Sequence, residues 1–536
     1  MLFSLSSNSE LTAMAIVHEQ VVEAVKNVAA LEISLVHFFP EIFLASSILA
    51  LTMHASLLST SRYLGYPLLT QSYLRLCLLV VGLTFCLSNQ NLSLELNTTS
   101  FNTLLNSFLA YENTFVFDSL SQISKQIILI GVFFCLLISE NIILKHKLNT
   151  FEYLLLLLCA TLGLLFLASA YDLISLYLAI EVQSLCLYVL AAAKKNSSFS
   201  LEAGLKYFIL GSFSSALFLF GASLLYGCTG TTNFLSLSLF FSGLNLDTFP
   251  LQVSVEHAWM CISIAFFFKI AAAPFHMWAP DVYEGSPTSS TVFFTVIPKI
   301  ALFTVFLRLF QSIFVAFEDL FLFLLLFSAV CSVIFGSFVA LRQKKLKRLL
   351  AYSSISHVGY LLLAFASNSL EGTQALFFYV IIYMITSLCA WCIVLSLNTS
   401  ENEKKSKTLA DLAQVSSSNP LLGLSAVLTF FSLAGVPPLA GFFAKMEIFL
   451  GAVSSSLYLT SIIAILSSVI SAFFYVRLIK TMYFEKIRKN IFVYPVTKAC
   501  SITLGLGCFA LLFFSINPTL LLLFTQKMAL CLYKFY

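Results

Sequence analysis

Residues 269–299 read KIAAAPFHMWAPDVYEGSPTSSTVFFTVIPK, with Lys269 and Lys299 each inside an apolar run and a short polar turn between the runs. Pro274 lacks a backbone donor and its ring clashes with the preceding turn, so the helix carrying Lys269 has to break there. In lipid, a broken helix leaves carbonyls that only protein or a water-filled cavity can meet, and such helices mark transport sites. The stretch therefore predicts a hydrated ion path inside a helix bundle. Pro298 directly precedes Lys299 and predicts a second break of the same kind.

The rest of the chain supports a membrane setting. With 59% hydrophobic, 15% aromatic and 10% charged residues among 536, it has too little polar surface for a soluble domain. Runs of spanning length fall at 33–56, 68–88, 119–139, 151–170, 172–193, 203–228, 254–279, 288–310, 318–341, 349–367, 373–397, 420–451, 456–484 and 499–524. The predicted fold is all-α, with about fourteen transmembrane helices, of which the seventh and twelfth are discontinuous.

Charge checks that count. Most of the 29 Lys and Arg lie in or beside the odd-numbered connections: Arg62 and Arg75, Lys145 and Lys147, Lys194 and Lys195, the run Arg342–Arg348, Lys404 to Lys407, and Arg477 to Lys498. Lys125 and Arg308 stand at the margins of even-numbered ones. The alternation follows the positive-inside pattern and places both termini opposite the basic loops. Four lysines remain within spans: Lys206, Lys269, Lys299 and Lys445. Each costs about 2.5–3.5 kcal/mol at a helix centre, although Lys206 is close enough to the basic face to snorkel.

The chain also resembles itself. AIEVQSLCLYVLAAAKKNSSFSLEAGLKYFILGSF from Ala179 parallels SSISHVGYLLLAFASNSLEGTQALFFYVIIYMITS from Ser353, with Glu202 and Glu371 at the shared position. Pro274 follows the first copy, and Pro437 and Pro438 follow the second at a similar spacing. Units of five helices must be inverted relative to each other, and inverted repeats with broken helices point to a transport site near the midplane. The resulting divisions are a surface extension over 1–30, three helices over 31–145, repeats over 146–315 and 316–490, and a last helix and tail over 491–536.

Glu181, in the middle of the fifth span, is too deep to snorkel and needs a partner. Burial favours a neutral lysine and a nearby carboxylate favours the charged one, so separating such a pair releases a proton. A static ion pair is the alternative. His357 in the tenth span is placed to relay between Lys299 and Lys445, because a neutral imidazole both donates and accepts. Helix packing is its alternative role. Glu41 reads as buried and isolated. Cys389 and Cys392 form a CxxC in mid-helix and read as small apolar residues. Neither a nucleotide loop nor an iron-sulfur cysteine set is present in the sequence, so no cofactor or metal is expected on this chain.

APFHMWAPDVYEGSPT, followed by Pro298-Lys299 in the next span, resembles the antiporter-like membrane subunits of NADH:ubiquinone oxidoreductase, respiratory complex I. Pro298-Lys299-Ile300 is more similar to mitochondrial members than to the plastid relative. The resemblance implies a membrane-arm subunit that passes protons while partner subunits, carrying FMN and iron-sulfur clusters, move electrons from NADH to ubiquinone. It pairs the carboxylate at Glu181 with a lysine such as Lys206, and places Lys269, Lys299 and Lys445 on the proton path. It implies other membrane-arm subunits and lipid as partners, with no nucleic acid. The location it implies is the mitochondrial inner membrane, with basic loops on the matrix side and both termini in the intermembrane space. A cation/proton antiporter and a structural membrane scaffold are the alternative readings.

Overall fold

The computed structural model describes residues 35–57, 66–97, 108–111, 113–145, 151–243, 252–313, 317–397, 408–413, 415–485 and 496–532. The predicted extension over 1–30 lies outside them. Helices α1 (Leu35–Leu57), α2 (Tyr66–Asn97) and α3 (Ser119–Lys145) come first, with a hairpin of β1 (Phe108–Ala110) and β2 (Phe115–Phe117) before α3. Next come α4 (Phe151–Ser169), α5 (Leu173–Ala191), α6 (Ser198–Thr229) and the short α7 (Phe234–Ser242). Asp172 caps α5 by accepting from the Ile174 amide at 3.1 Å, and Gly230 ends α6 in the left-handed region.

The central elements are α8 (Gln252–Ile270), α9 (Trp278–Gly285), α10 (Thr288–Ile313), α11 (Glu318–Leu341), α12 (Leu346–Ala366) and α13 (Leu370–Ser396). After the single-turn α14 (Val415–Ser418), the chain closes with α15 (Pro420–Ala434), α16 (Ala440–Ser454), α17 (Tyr458–Tyr483), α18 (Lys498–Ile516) and α19 (Thr519–Leu532). Thirteen of the described helices are long and apolar enough to cross a membrane, and α15 with α16 supplies a broken fourteenth. The fold is thus all-α and polytopic, as the apolar runs predict. The last expected span, 499–524, is divided between α18 and α19, and α19 runs on into the expected tail and packs on α13 and α3.

Helices α10, α12 and α13 are almost wholly buried, whereas α6, α17 and α18 turn most of their apolar surface outward. Both predicted broken spans are broken. The seventh stops at Ile270 and turns through 271–277 before α9; Ala271 there has φ 60°. The twelfth stops at Ala434 and resumes at Ala440, across Pro437 and Pro438. Pro298 corrects the expectation, because it lies inside an uninterrupted α10. A proline removes one ladder bond, and α3, α4 and α13 pack around α10 closely enough to hold its course.

Two buried cations also correct the reading. Lys125 on α3 pairs with Glu41 on α1 at 2.5 Å, both almost fully buried, so Glu41 is not isolated. Arg308 on α10 binds both oxygens of Asp118 at 2.8 and 3.0 Å and donates to the Ala168 carbonyl at 3.3 Å. These groups stand at span margins in the sequence, yet in three dimensions they fasten α1 to α3 and the start of α3 to the far end of α10. Removing one member of a buried pair costs about 3–5 kcal/mol, whereas removing both is often close to neutral. Asp118→Leu is therefore expected to lower the thermal stability of the assembled protein by that amount, with most of it restored by adding Arg308→Leu. Thermal unfolding in detergent checks this; a double variant no more stable than the single one would remove the pair from the account.

Candidate functional site

The break after α8 organises the first half of the site. Trp278, at the start of α9, turns back and donates from Nε1 at 2.9 Å to the Phe268 carbonyl, which also accepts from the Ala271 amide at 3.2 Å, so the turn is tied to the end of α8. Lys269, one residue later, donates from Nζ to the Tyr188 hydroxyl on α5 at 3.3 Å and lies 5.8 Å from the centre of that ring. Tyr188 fits there because position 211 on α6 is glycine. A Cβ at Gly211 would stand 2.1 Å from the Tyr188 oxygen. Lys269 and Lys299 line one cavity, together with Gln183, Ser184, Tyr207, Tyr283 and Pro298. About 20 Å³ of it is open to the centre of a water molecule, enough for at least one water.

Lys299 begins the second half. It is 3% exposed, donates to the Tyr383 hydroxyl on α13 at 3.2 Å and to the Ser354 carbonyl on α12 at 3.4 Å, and lies 4.9 Å from the Tyr383 ring centre. The Tyr383 ring also meets His357, at 5.2 Å between centroids. His357 is held at both nitrogens, with Tyr379 at 2.6 Å from Nδ1 and Tyr475 at 3.1 Å from Nε2. One nitrogen of a neutral imidazole donates and the other accepts, so this ring joins two hydroxyls in a single chain.

Lys445, near the start of α16, occupies the break in the twelfth span. Its Nζ donates to the carbonyls of Leu433 at 3.1 Å and Ala434 at 2.8 Å, the last residues of α15. The Tyr360 ring lies 5.3 Å away. Both Lys299 and Lys445 are near enough to His357 for their charges to act on it. Among the described residues, no carboxylate makes an ion pair with Lys269, Lys299 or Lys445. A tyrosine accompanies each of the three instead.

Glu181 is partly buried on α5. The Ser184 hydroxyl donates to one of its carboxylate oxygens at 3.5 Å, and its charge acts on Lys269. It does not pair with Lys206, which corrects the expectation. Lys206 bonds Glu202 at 2.8 Å and Asp281 at 3.0 Å with 42% of its side chain exposed. The reason is its place near the start of α6, where a four-carbon stem reaches the polar face more readily than the middle of α5. Asp281 continues to Arg348 at 3.4 Å, Arg348 to Glu284 at 3.5 Å, and Glu284 to Lys345. The sequence reading passed over Asp281 and Glu284. Their i,i+3 spacing within α9, opposite the basic run Arg342–Arg348, was the available signal.

The family model described as NADH:quinone oxidoreductase/Mrp antiporter, TM, matches residues 170–471, which include both broken spans and all six candidate residues. The chain belongs to this family. It is 41% identical to NADH-ubiquinone oxidoreductase chain 2 of Marchantia polymorpha over 92% of this chain and 98% of that one. It is 38% identical to NADH-quinone oxidoreductase subunit N of Parvibaculum lavamentivorans, over 77% and 84% respectively. A chain of respiratory complex I from Thermus thermophilus superposes with TM-score 0.72 at 30% identity, covering 90% of this chain and 98% of that one. A chain of the Mrp complex from Dietzia superposes with TM-score 0.79 at 18% identity, over 93% and 98%, and shares the fold.

Gly435 tests how tightly the second lysine is seated. Its φ is 83°, and a Cβ there would stand 2.8 Å from Lys445 Cδ. Gly435→Ala is expected to destabilise the protein by about 1–2 kcal/mol through the left-handed backbone alone, and to push Lys445 Nζ off the Leu433 and Ala434 carbonyls. A high-resolution map of the variant checks this, and an unmoved Lys445 would show that the seat is loose.

Proposed function

We propose that the chain is subunit 2 of a proton-translocating NADH:ubiquinone oxidoreductase of the mitochondrial inner membrane, and that Glu181, Lys269, Lys299, His357 and Lys445 carry its protons. The observation that carries this reading is the row of lysines with no ion-pair partner: the partly buried Lys269 and the buried Lys299 on one cavity, Lys299 and His357 both against Tyr383, and the buried Lys445 in the second break. A lysine held by neutral hydroxyls and carbonyls loses no ion pair when its proton leaves. Transfer breaks an N–H bond on an ammonium and forms an O–H or N–H bond on the next group. The proton is the only thing moved. Glu181, whose charge acts on Lys269, biases the first member of the row.

Lys206 enters this reading at the edge of the path. With Asp281, Arg348, Glu284 and Lys345 it fastens α9 between α6 and α12 on the face with the basic loops. That face is assigned to the matrix and the termini to the intermembrane space, in keeping with the positive-inside pattern. The two broken spans are read as equivalent parts of inverted five-helix repeats over 146–315 and 316–490. NADH, FMN, iron-sulfur clusters and ubiquinone are assigned to other subunits. The outward apolar faces of α6, α17 and α18 are available to lipid and to neighbouring membrane-arm subunits.

Two sets of variants test the path. Lys299→Ala is expected to lower proton pumping coupled to quinone reduction while the complex still assembles, and Lys299→Arg is expected to fail too, because a guanidinium keeps its proton. Normal pumping by the arginine variant in proteoliposomes would remove Lys299 from the path. Glu181→Gln is expected to impair pumping more than Glu181→Asp, since the amide keeps the size and loses the charge. Pumping by the glutamine form at the wild-type rate would reduce Glu181 to packing.

A further inference from the structure

Among the groups lining the cavity shared by Lys269 and Lys299 is a buried one left without a hydrogen-bond partner. Gln183 lies on α5, two residues beyond Glu181, and lines this cavity with 6% of its surface exposed. Its side-chain Oε1 is buried and has no hydrogen-bond partner in the protein. A buried amide oxygen left without a partner costs about 1–3 kcal/mol. Here the remedy is adjacent, because the space it lines admits a water molecule and a buried water needs two to four polar partners. Lys269, Lys299, Ser184, Tyr207 and Tyr283 line the same space.

We propose that Gln183 is a positioning residue of the proton path, whose side-chain oxygen holds and orients the water through which Lys269 and Lys299 exchange a proton. The inference rests on the proton-path reading above. In the exchange, an N–H bond of whichever lysine is charged breaks as an O–H bond of the water forms, and a different O–H bond of that water breaks as an N–H bond forms on the other lysine. The water is left with two protons, as it began. Gln183 accepts one of the water's hydrogens, which turns the water's oxygen lone pair toward the donating lysine and its second hydrogen toward the accepting one. The amide has no charge and does not titrate, so it orders the water without trapping the proton.

A packing role and a water-holding role rank two substitutions in opposite orders. Leucine has nearly the volume of glutamine and no acceptor, so Gln183→Leu keeps the packing and removes the water's partner. Alanine leaves room that further water can fill, so Gln183→Ala loosens the packing and keeps the passage wet. Proton pumping is measured per assembled complex in proteoliposomes during NADH:quinone turnover, with Lys299→Ala alongside. The expected result is that Gln183→Leu pumps more slowly, on the order of tenfold or more, while Gln183→Ala stays within about twofold of wild type and Lys299→Ala fails. Should leucine prevent assembly, Gln183→Met, equally long and apolar but flexible, takes its place. Wild-type pumping by the leucine or methionine form, or an alanine form slower than either, overturns the role given to Gln183. Wild-type pumping by Lys299→Ala would instead overturn the path itself, so the two failures are distinguishable.

Discussion

A lysine inside a helix bundle that has no ion-pair partner has to be held by neutral groups, and that constraint shapes the centre of this protein. Lys269, Lys299 and Lys445 meet it in one way, with a tyrosine beside each and backbone carbonyls added at Lys299 and Lys445. The carbonyls at Lys445 are free because α15 has ended. The broken helix and the buried lysine therefore answer each other: one supplies acceptors that lipid cannot satisfy, and the other supplies the donors. Neither would be tolerated alone at that depth.

The other membrane cations follow different rules, and the contrast separates structure from chemistry. Lys125 and Arg308 are as buried as Lys299, yet each faces a carboxylate at hydrogen-bond distance. A charge paired in that way is stabilised as a charge, which suits a fastening between helices and not a proton carrier. Lys206 belongs to a third group, half-exposed and bonded to two acids. Burial alone thus identifies none of the proposed carriers. Burial without an ion pair sets Lys299 and Lys445 apart, and Lys269 shares their lack of an ion-pair partner while only partly buried.

Much of this was legible in the chain itself. The spans, the basic loops and the two breaks follow from hydropathy, Lys and Arg placement, and Pro274, Pro437 and Pro438, because these act through local backbone chemistry and through the bilayer. Pro298 misled because the effect of an interior proline depends on what packs around it, which local sequence does not record. The pairs Glu41–Lys125 and Asp118–Arg308 were hidden for a related reason: each joins residues distant in the chain. The tyrosines were hidden by number. Of 21 in the chain, only spacing distinguishes those that matter: Tyr360 lies one turn from His357, and Tyr379 and Tyr383 lie one turn apart on the helix that faces it.

The arrangement around His357 differs from that around Lys269, and the difference bears on how the two halves work together. Between Lys269 and Lys299 the protein leaves space, whereas around His357 it fills the space with Tyr379, Tyr383 and Tyr475. Hydroxyls fixed at both imidazole nitrogens allow the ring one orientation and two tautomers. A proton arriving at one nitrogen moves forward only by leaving from the other, and the ring must then change tautomer before it can serve again. A water held between Lys269 and Lys299, as proposed for Gln183, resets instead by turning its own hydrogens. In the proposed path, the cavity between Lys269 and Lys299 and the tyrosine-clamped histidine are therefore the two places that differ in how a proton is handed on.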